Sequence, residues 1–196
     1  MRILVIGATG QVGRTAVDAL GDHEIIAASR SGELSIDVTD PTSIERLFAS
    51  VGQVDAVIVA VGEVPFRSLG DLGRGDYESA FRGKVLSQLD VVRIGTPYVR
   101  DGGSITLTSG ILAREPIATG AAASFANGAV ESFVLAAATE LPRGIRINAV
   151  SPSVLEDAPS YHSSFPGFVP VSSQRVGQAY AKSVLGVQTG QVFRVD

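Results

Sequence analysis

Cysteine and tryptophan are absent from this 196-residue chain, and methionine occurs once. Without cysteine there can be no disulfide, no thiolate nucleophile and no Cys-ligated zinc. The two histidines, His23 and His162, stand far apart, and no carboxylates gather at ligand spacing, so no metal centre is expected. Lysine is scarce as well, limited to Lys84 and Lys182, and the net charge is −4. A chain this acidic presents no basic face to phosphates, which argues against nucleic acid as a partner. No apolar run approaches the roughly 20 residues needed to span a bilayer. The N-terminal MRILVIGATG leads directly into a strand and turn, without the pattern of a cleavable signal. The expectation is a cytoplasmic protein with no membrane partner.

Apolar residues make up 45% of the chain and charged residues 18%, the proportions of a well-packed globule rather than a disordered segment. At this length one domain, residues 1–196, is expected. Ile3 to Ile6 is a continuous aliphatic run ended by glycine, as in strands buried on both faces. A helix from about Gln11 to Leu20 follows, then strands at Glu24–Ala28 and Leu34–Ile36, too close together for a crossover helix between them. The pattern continues with a helix at Pro41–Val51, a strand at Asp55–Val61, a long helix at about Asp76–Tyr98 and a strand at Ser104–Leu107. A second long helix at Ala121–Glu140, a strand at Ile145–Val150, a helix at Gln174–Val184 and a strand at Gln191–Val195 complete it. This alternation predicts a Rossmann-like, doubly wound α/β fold: a parallel sheet of about seven strands with helices on both faces. The stretch 152–171, rich in Pro, Ser and aromatics, is too long for an ordinary connection and reads as a functional loop or lid.

Gly7-Ala8-Thr9-Gly10-Gln11-Val12-Gly13 closes the first strand and opens the first helix. Glycines are needed there for a tight turn, for close backbone approach to a pyrophosphate and for helix–strand packing, while the helix N-terminus offers N–H groups to an anion. Dinucleotide binding is the expectation, against a plain structural turn as the alternative. The second strand ends Ser29-Arg30 with no acid for a ribose 2′-hydroxyl, and Arg14 follows the last glycine. An arginine suits a 2′-phosphate, so NADP is favoured over NAD, unless Arg30 is simply a solvated loop charge.

Over essentially its whole length the chain then resembles the short-chain dehydrogenase/reductase family. Asp37-Val38-Thr39-Asp40 is similar to a family segment that meets the adenine ring, implying contacts from Asp37 and Val38. Ala60-Val61-Gly62 stands where the family has Asn-Asn-Ala-Gly, so the side-chain amides are lost. Thr108-Ser109-Gly110 resembles the strand end that carries a catalytic Ser. The run Asn148-Ala149-Val150-Ser151-Pro152 resembles the family's Asn-x-Val-x-Pro-Gly, with Ser153 in place of Gly; it implies that Pro152, Ser153 and Val154 flank the nicotinamide.

One departure governs the functional reading. The family carries a Tyr and a Lys at i and i+4 on the helix after the Ser strand, where the Lys lowers the phenol's pKa and holds the nicotinamide ribose. Aligning Ala129-Val130-Glu131 with the family's Ala-Val-Glu puts Ala123 at the Tyr position and Asn127 at the Lys position; a shift by one gives Ala122 and Ala126. The dyad is missing in either register. The family's further catalytic Asn falls near Phe81-Arg82-Gly83-Lys84, where Lys84 is either a substitute reaching the pocket or a solvent-facing helix lysine. Ser109 and Lys84 are therefore the candidate catalytic residues, with Tyr161 and His162 in the long loop as further groups that could face the nicotinamide. Two functions fit: an NADP(H)-dependent oxidoreductase with a degenerate active site and unknown substrate, or a non-catalytic dinucleotide-binding sensor or partner subunit. The two long helices carry apolar residues around much of their circumference, and family members pair such helices across a two-fold axis, implying a homodimer or homotetramer.

Overall fold

The computed structural model describes residues 1–196. Seven strands form one parallel sheet in the order β3-β2-β1-β4-β5-β6-β7. These are β1 (Arg2–Ile6), β2 (Glu24–Ser29), β3 (Leu34–Ser35), β4 (Val54–Val59), β5 (Val99–Thr108), β6 (Arg146–Pro152) and β7 (Val192–Val195). The order turns back between β1 and β4, which opens a crevice outside their carboxyl ends. Strand alternation splits the core in two. Leu4, Ile6, Val57, Val59, Ile105 and Leu107 face one side, and Ile3, Val5, Ala56 and Ile58 face the other.

Helices α2 (Pro41–Val51), α4 (Ser87–Gly95) and α5 (Ala121–Ala137) bury one face of the sheet, and α1 (Gln11–Ala19) and α7 (Ser173–Leu185) the other. Local chemistry sets these boundaries. Asp40 caps α2 by accepting from the Thr42 N–H at 2.9 Å, with Pro41 in the first turn, and Ser172 caps α7. Gly177 of α7 lies so close to α1 that a Cβ would stand 2.5 Å from the Thr15 carbonyl oxygen, which brings the two helices together behind β1.

The helix expected over Asp76–Tyr98 is divided. It consists of α3 (Arg74–Ala80), a π-helical turn at Phe81–Leu86, α4, and a 3₁₀ turn at Thr96–Tyr98. Gly83 weakens the helix and lets the widened turn crowd the segment after β4, where a Cβ on residue 83 would lie 2.8 Å from the Glu63 carbonyl oxygen. Pro97 follows the end of α4, having no N–H to carry the helical ladder on, and the chain leaves through the 3₁₀ turn. β5 also starts five residues earlier than expected. Val99 pairs with Val54, and Arg100 bridges to Asp55 at 2.8 Å, before the register shifts. The long loop carries structure of its own: helix α6 (Pro159–His162) and a bridge between Leu155 and Val171.

Candidate functional site

At the head of the crevice β1 turns into α1 through backbone packed too tightly for side chains. Gly7 has φ +87°, and a Cβ on it would lie 2.4 Å from the Ala60 carbonyl oxygen. A Cβ on Gly13 would lie 2.0 Å from the Gly7 carbonyl oxygen. Unlike α2 and α7, α1 begins at Gly10 with no side-chain cap, so its first-turn N–H groups are open to a ligand at the crevice. Ala8 is buried beneath this turn, while Thr9, Gly10, Gln11 and Arg14 are exposed.

To one side lies the end of β2. The Ser29 hydroxyl is buried without a partner, and Arg30 points into solvent, 3.9 Å from a Glu63 carboxylate that is equally exposed. An ion pair that long and that wet contributes little, so Arg30 remains available. Asp37 is tied into a local turn, accepting from the Thr39 N–H at 2.9 Å and the Thr39 hydroxyl at 2.7 Å; these bonds hold its carboxyl below the usual range. Val38 packs against the core beside it.

To the other side lie the ends of β4, β5 and β6. Gly62, at φ +156°, accepts the Lys84 side chain against its backbone: a Cβ there would meet Lys84 Cγ at 2.7 Å and Nζ at 3.0 Å. Lys84 is half-buried, and desolvation alone lowers its pKa from 10.5 to about 8. Gln88 fixes the π-helical turn to β5, donating to the Lys84 and Thr108 carbonyls while accepting from the Thr108 N–H at 2.8 Å. Beyond β6, the Ser153 hydroxyl is buried and unpartnered, Pro152 is the last residue of the strand, and Val154 accepts from the Val171 N–H.

Ser109 sits 5% exposed at the end of β5, but its hydroxyl is committed. It donates to Glu131 Oε1 at 2.7 Å, and Ser151 donates to the same oxygen at 2.9 Å. Arg114 extends the network, donating to Ser151 at 2.9 Å and to the Asp196 carboxylate at 2.9 Å. Glu131 thus stitches α5 to the ends of two adjacent strands. In the sequence Glu131 serves only as the last residue of the Ala-Val-Glu match. The motif carries no signal for it, because the role depends on β5 and β6 being neighbours.

The positions aligned with the family's Tyr, Ala122 and Ala123, pack in apolar surroundings. Ala123 is buried with Ile111 and Leu112, and Phe165 and Phe168 from the long loop pack against that cluster. Tyr180 lies fully buried beneath the sheet, bonded to Thr108 at 2.6 Å, and burial pushes its pKa up. Tyr98 stacks on Phe48, Tyr161 is exposed, and His162 is held by the Leu155 carbonyl at 2.8 Å. Asn127, at the Lys position in the register that aligns Ala129-Val130-Glu131, is 5% exposed with its Oδ1 unbonded. No group of three or more His, Asp or Glu could hold a metal ion, and no helix is long and apolar enough to cross a membrane.

Comparison with known proteins agrees with this architecture. The family model described as Enoyl-(Acyl carrier protein) reductase matches residues 10–187. Versicolorin reductase 1 of Aspergillus parasiticus is 28% identical over 180 residues, covering 78% of this chain and 69% of that enzyme. Glucose and ribitol dehydrogenase homolog 2 of Arabidopsis thaliana is 28% identical over 110 residues, and the chain spans only 38% of its length. Among solved structures, the protein lin1944 from Listeria innocua superposes with a TM-score of 0.98 at 41% identity, each chain covered in full. A small-chain dehydrogenase in complex with NADPH superposes with a TM-score of 0.87 at 29% identity, covering 100% of this chain and 96% of that one. The sheet order, the glycine turn and a family match over most of the chain lead to one conclusion: the protein belongs to the short-chain dehydrogenase/reductase family of oxidoreductases.

Proposed function

We propose that the protein is an NADP(H)-binding oxidoreductase whose proton-donating machinery is reduced. The observation that carries this reading is the placement of three of the five unsatisfied buried side-chain atoms; the other two, Ser104 Oγ on β5 and Ser124 Oγ on α5, take no part in it. Ser29 Oγ, Asn127 Oδ1 and Ser153 Oγ lie at the ends of β2, on α5 beside β5, and just after β6, on both sides of the uncapped α1 turn. Buried polar atoms without partners are costly, and a dinucleotide laid along the strand ends would supply partners to all three. Gly7, Gly10 and Gly13 would pass the pyrophosphate close to the backbone. Ser29, Arg30 and Arg14 would meet the adenosine ribose and its 2′-phosphate, with Asp37 and Val38 at the adenine. Ala60, Val61 and Gly62 would line the middle, and Pro152, Ser153 and Val154 the nicotinamide. Bound there, the cofactor supplies hydride. Lys84 would act as a fixed cation and Ser109 would shape the pocket wall.

Fluorescence titration tests the cofactor assignment. NADPH is expected to bind about tenfold tighter than NADH, a difference that charge-assisted contacts to a phosphate readily supply. Arg30→Ala should erase most of that preference. Equal affinities, or tighter NADH, would remove the assignment.

The alternative, a non-catalytic sensor or partner subunit, draws on a different observation: the apolar packing of Ala123 under Phe165 and Phe168. General acid catalysis typically contributes about 10²–10⁴-fold, so its loss slows hydride transfer without forbidding it. A carbonyl-substrate panel with NADPH separates the readings; tight NADPH binding without turnover would favour the sensor. We also propose that a second copy of the chain covers α5. Phe125, Gly128, Ser132 and Leu135 form an outward stripe at spacings of three and four, and Phe81 and Leu86 stand exposed nearby.

A further inference from the structure

Beyond the phosphate-binding turn, two polar side chains flank the ends of β4 and β5 with no partner in the fold. Lys84 lies along Gly62, and no carboxylate contributes to the shift of its pKa. Glu63, whose carbonyl crowds Gly83, turns its carboxylate toward Arg30, and Glu131 is occupied by Ser109 and Ser151. Asn127 lies against Gly110, its amide nitrogen 3.1 Å from where a Cβ on residue 110 would stand, and its Oδ1 is buried and unbonded.

The elements carrying these two residues are packed together. Ala80 and Val85 around the π-helical turn share one apolar cluster with Ala122 and Ala126 of α5. Gln88 joins the Lys84 carbonyl to Thr108, two residues before the Gly110 that Asn127 touches. A donor-only ammonium and an unmet amide acceptor therefore border the same stretch of crevice. The 2′-phosphate candidates Ser29 and Arg30 lie on the opposite side of β1, so this stretch takes the second mononucleotide.

Resting on the dinucleotide reading above, we propose that Lys84 and Asn127 form an exchanged pair that grips the nicotinamide-side ribose. Asn127 Oδ1 accepts from one ribose hydroxyl and the Lys84 ammonium donates to the diol. The family this chain resembles places its Lys on the α5 helix and its Asn on the preceding one; in the register that aligns Ala129-Val130-Glu131, Asn127 stands at the Lys position and Lys84 near the Asn position. A vicinal diol suits the pair because each hydroxyl both donates and accepts, which satisfies an orphaned acceptor and a cation that carries three donors. The widened turn at Phe81–Leu86 sets the height from which the longer side chain enters, a use of π-helical geometry found at functional sites.

Exchange makes the proposal testable as a cycle. NADPH and adenosine 2′,5′-bisphosphate, which lacks the nicotinamide half, are titrated against the wild type, Lys84→Asn, Asn127→Lys, the double exchange and Asn127→Ala. Each single variant is expected to weaken NADPH about tenfold or more while leaving the bisphosphate within about twofold. The double exchange keeps the net charge and should return NADPH to within about threefold of wild type. Additive losses in the double variant, or single variants without effect, would overturn the pair while the dinucleotide reading stands. Loss of both ligands together would mean that the residues are structural, and overturns the pair too. Asn127→Ala keeps the outcome readable should the buried lysine of Asn127→Lys fail to fold. A wild type that binds neither ligand would remove the dinucleotide reading and the pair with it.

Discussion

At the scale of single residues, Lys84 is the group whose sequence context says least about its state. A lysine in an amphipathic helix ordinarily faces water, and nothing in Phe81-Arg82-Gly83-Lys84 indicates that the side chain folds back onto Gly62. Its burial has a consequence for stability. The folded value near 8 lies below the ordinary 10.5, so between those two pH values the unfolded chain binds a proton that the folded chain does not. The cofactor-free protein should therefore gain stability as pH rises from about 8 to about 10.5, and pay the full desolvation cost below that window. Lys84→Met should abolish the gain and raise the melting temperature at pH 7, by about 2–4 °C for each kcal/mol recovered. Thermal melts of both proteins across pH 7–10 check it, and a wild-type profile parallel to that of the variant would contradict it. The opposite sign holds for an anionic cofactor: NADPH affinity should fall as pH rises through about 8. A residue that costs stability when the site is empty is what functional placement looks like.

At the scale of elements, the β1–turn–α1 unit was legible because its logic is local. A glycine at a positive φ, a helix start and an aliphatic run sit within a dozen residues of one another. The π-helical turn, the early start of β5 and the Ser109–Glu131–Ser151 bridge were not legible. Each depends on a contact made by a distant element: Glu63 on Gly83, Asp55 on Arg100, and one strand end beside another. The glycine turn also separates two roles that the motif alone runs together. Gly7 and Gly13 are required by the fold, since a Cβ at either would collide with backbone. Gly10 is not: its φ is −73°, and a Cβ would meet only the Gly7 carbonyl oxygen, at 3.3 Å. Gly10→Ala is thus expected to change stability by less than about 1 kcal/mol while weakening NADPH about tenfold, because the added methyl occupies the approach to the phosphate. Urea denaturation and a binding titration on the same sample decide it. A variant that binds normally would show that the cofactor does not cross this turn.

For the whole molecule, the doubly wound sheet was readable from the alternation of buried runs and amphipathic helices, including the missing crossover between β2 and β3. What the sequence could not show is how α5 meets its surroundings. The helix is apolar on nearly every side, and it buries Val130 and Val134 against the sheet while Phe125 and Leu135 remain exposed. Light scattering at tens of micromolar is expected to give a dimer or a tetramer, and Leu135→Glu should shift it toward monomer. A wild type that stays monomeric would contradict the covered-helix reading.

Whether a dinucleotide lies along the carboxyl ends of the strands is examined most directly by a crystal structure grown with NADPH. The predicted result has the pyrophosphate over Gly10 to Gly13, the 2′-phosphate at Ser29 and Arg30, and the nicotinamide beside Ser153. Its ribose would sit between Lys84 and Asn127, with neither Ala122 nor Ala123 of α5 offering an acid to the reactive carbon. NADPH bound elsewhere, or an acidic side chain from residues 153–171 standing over the nicotinamide, would contradict it.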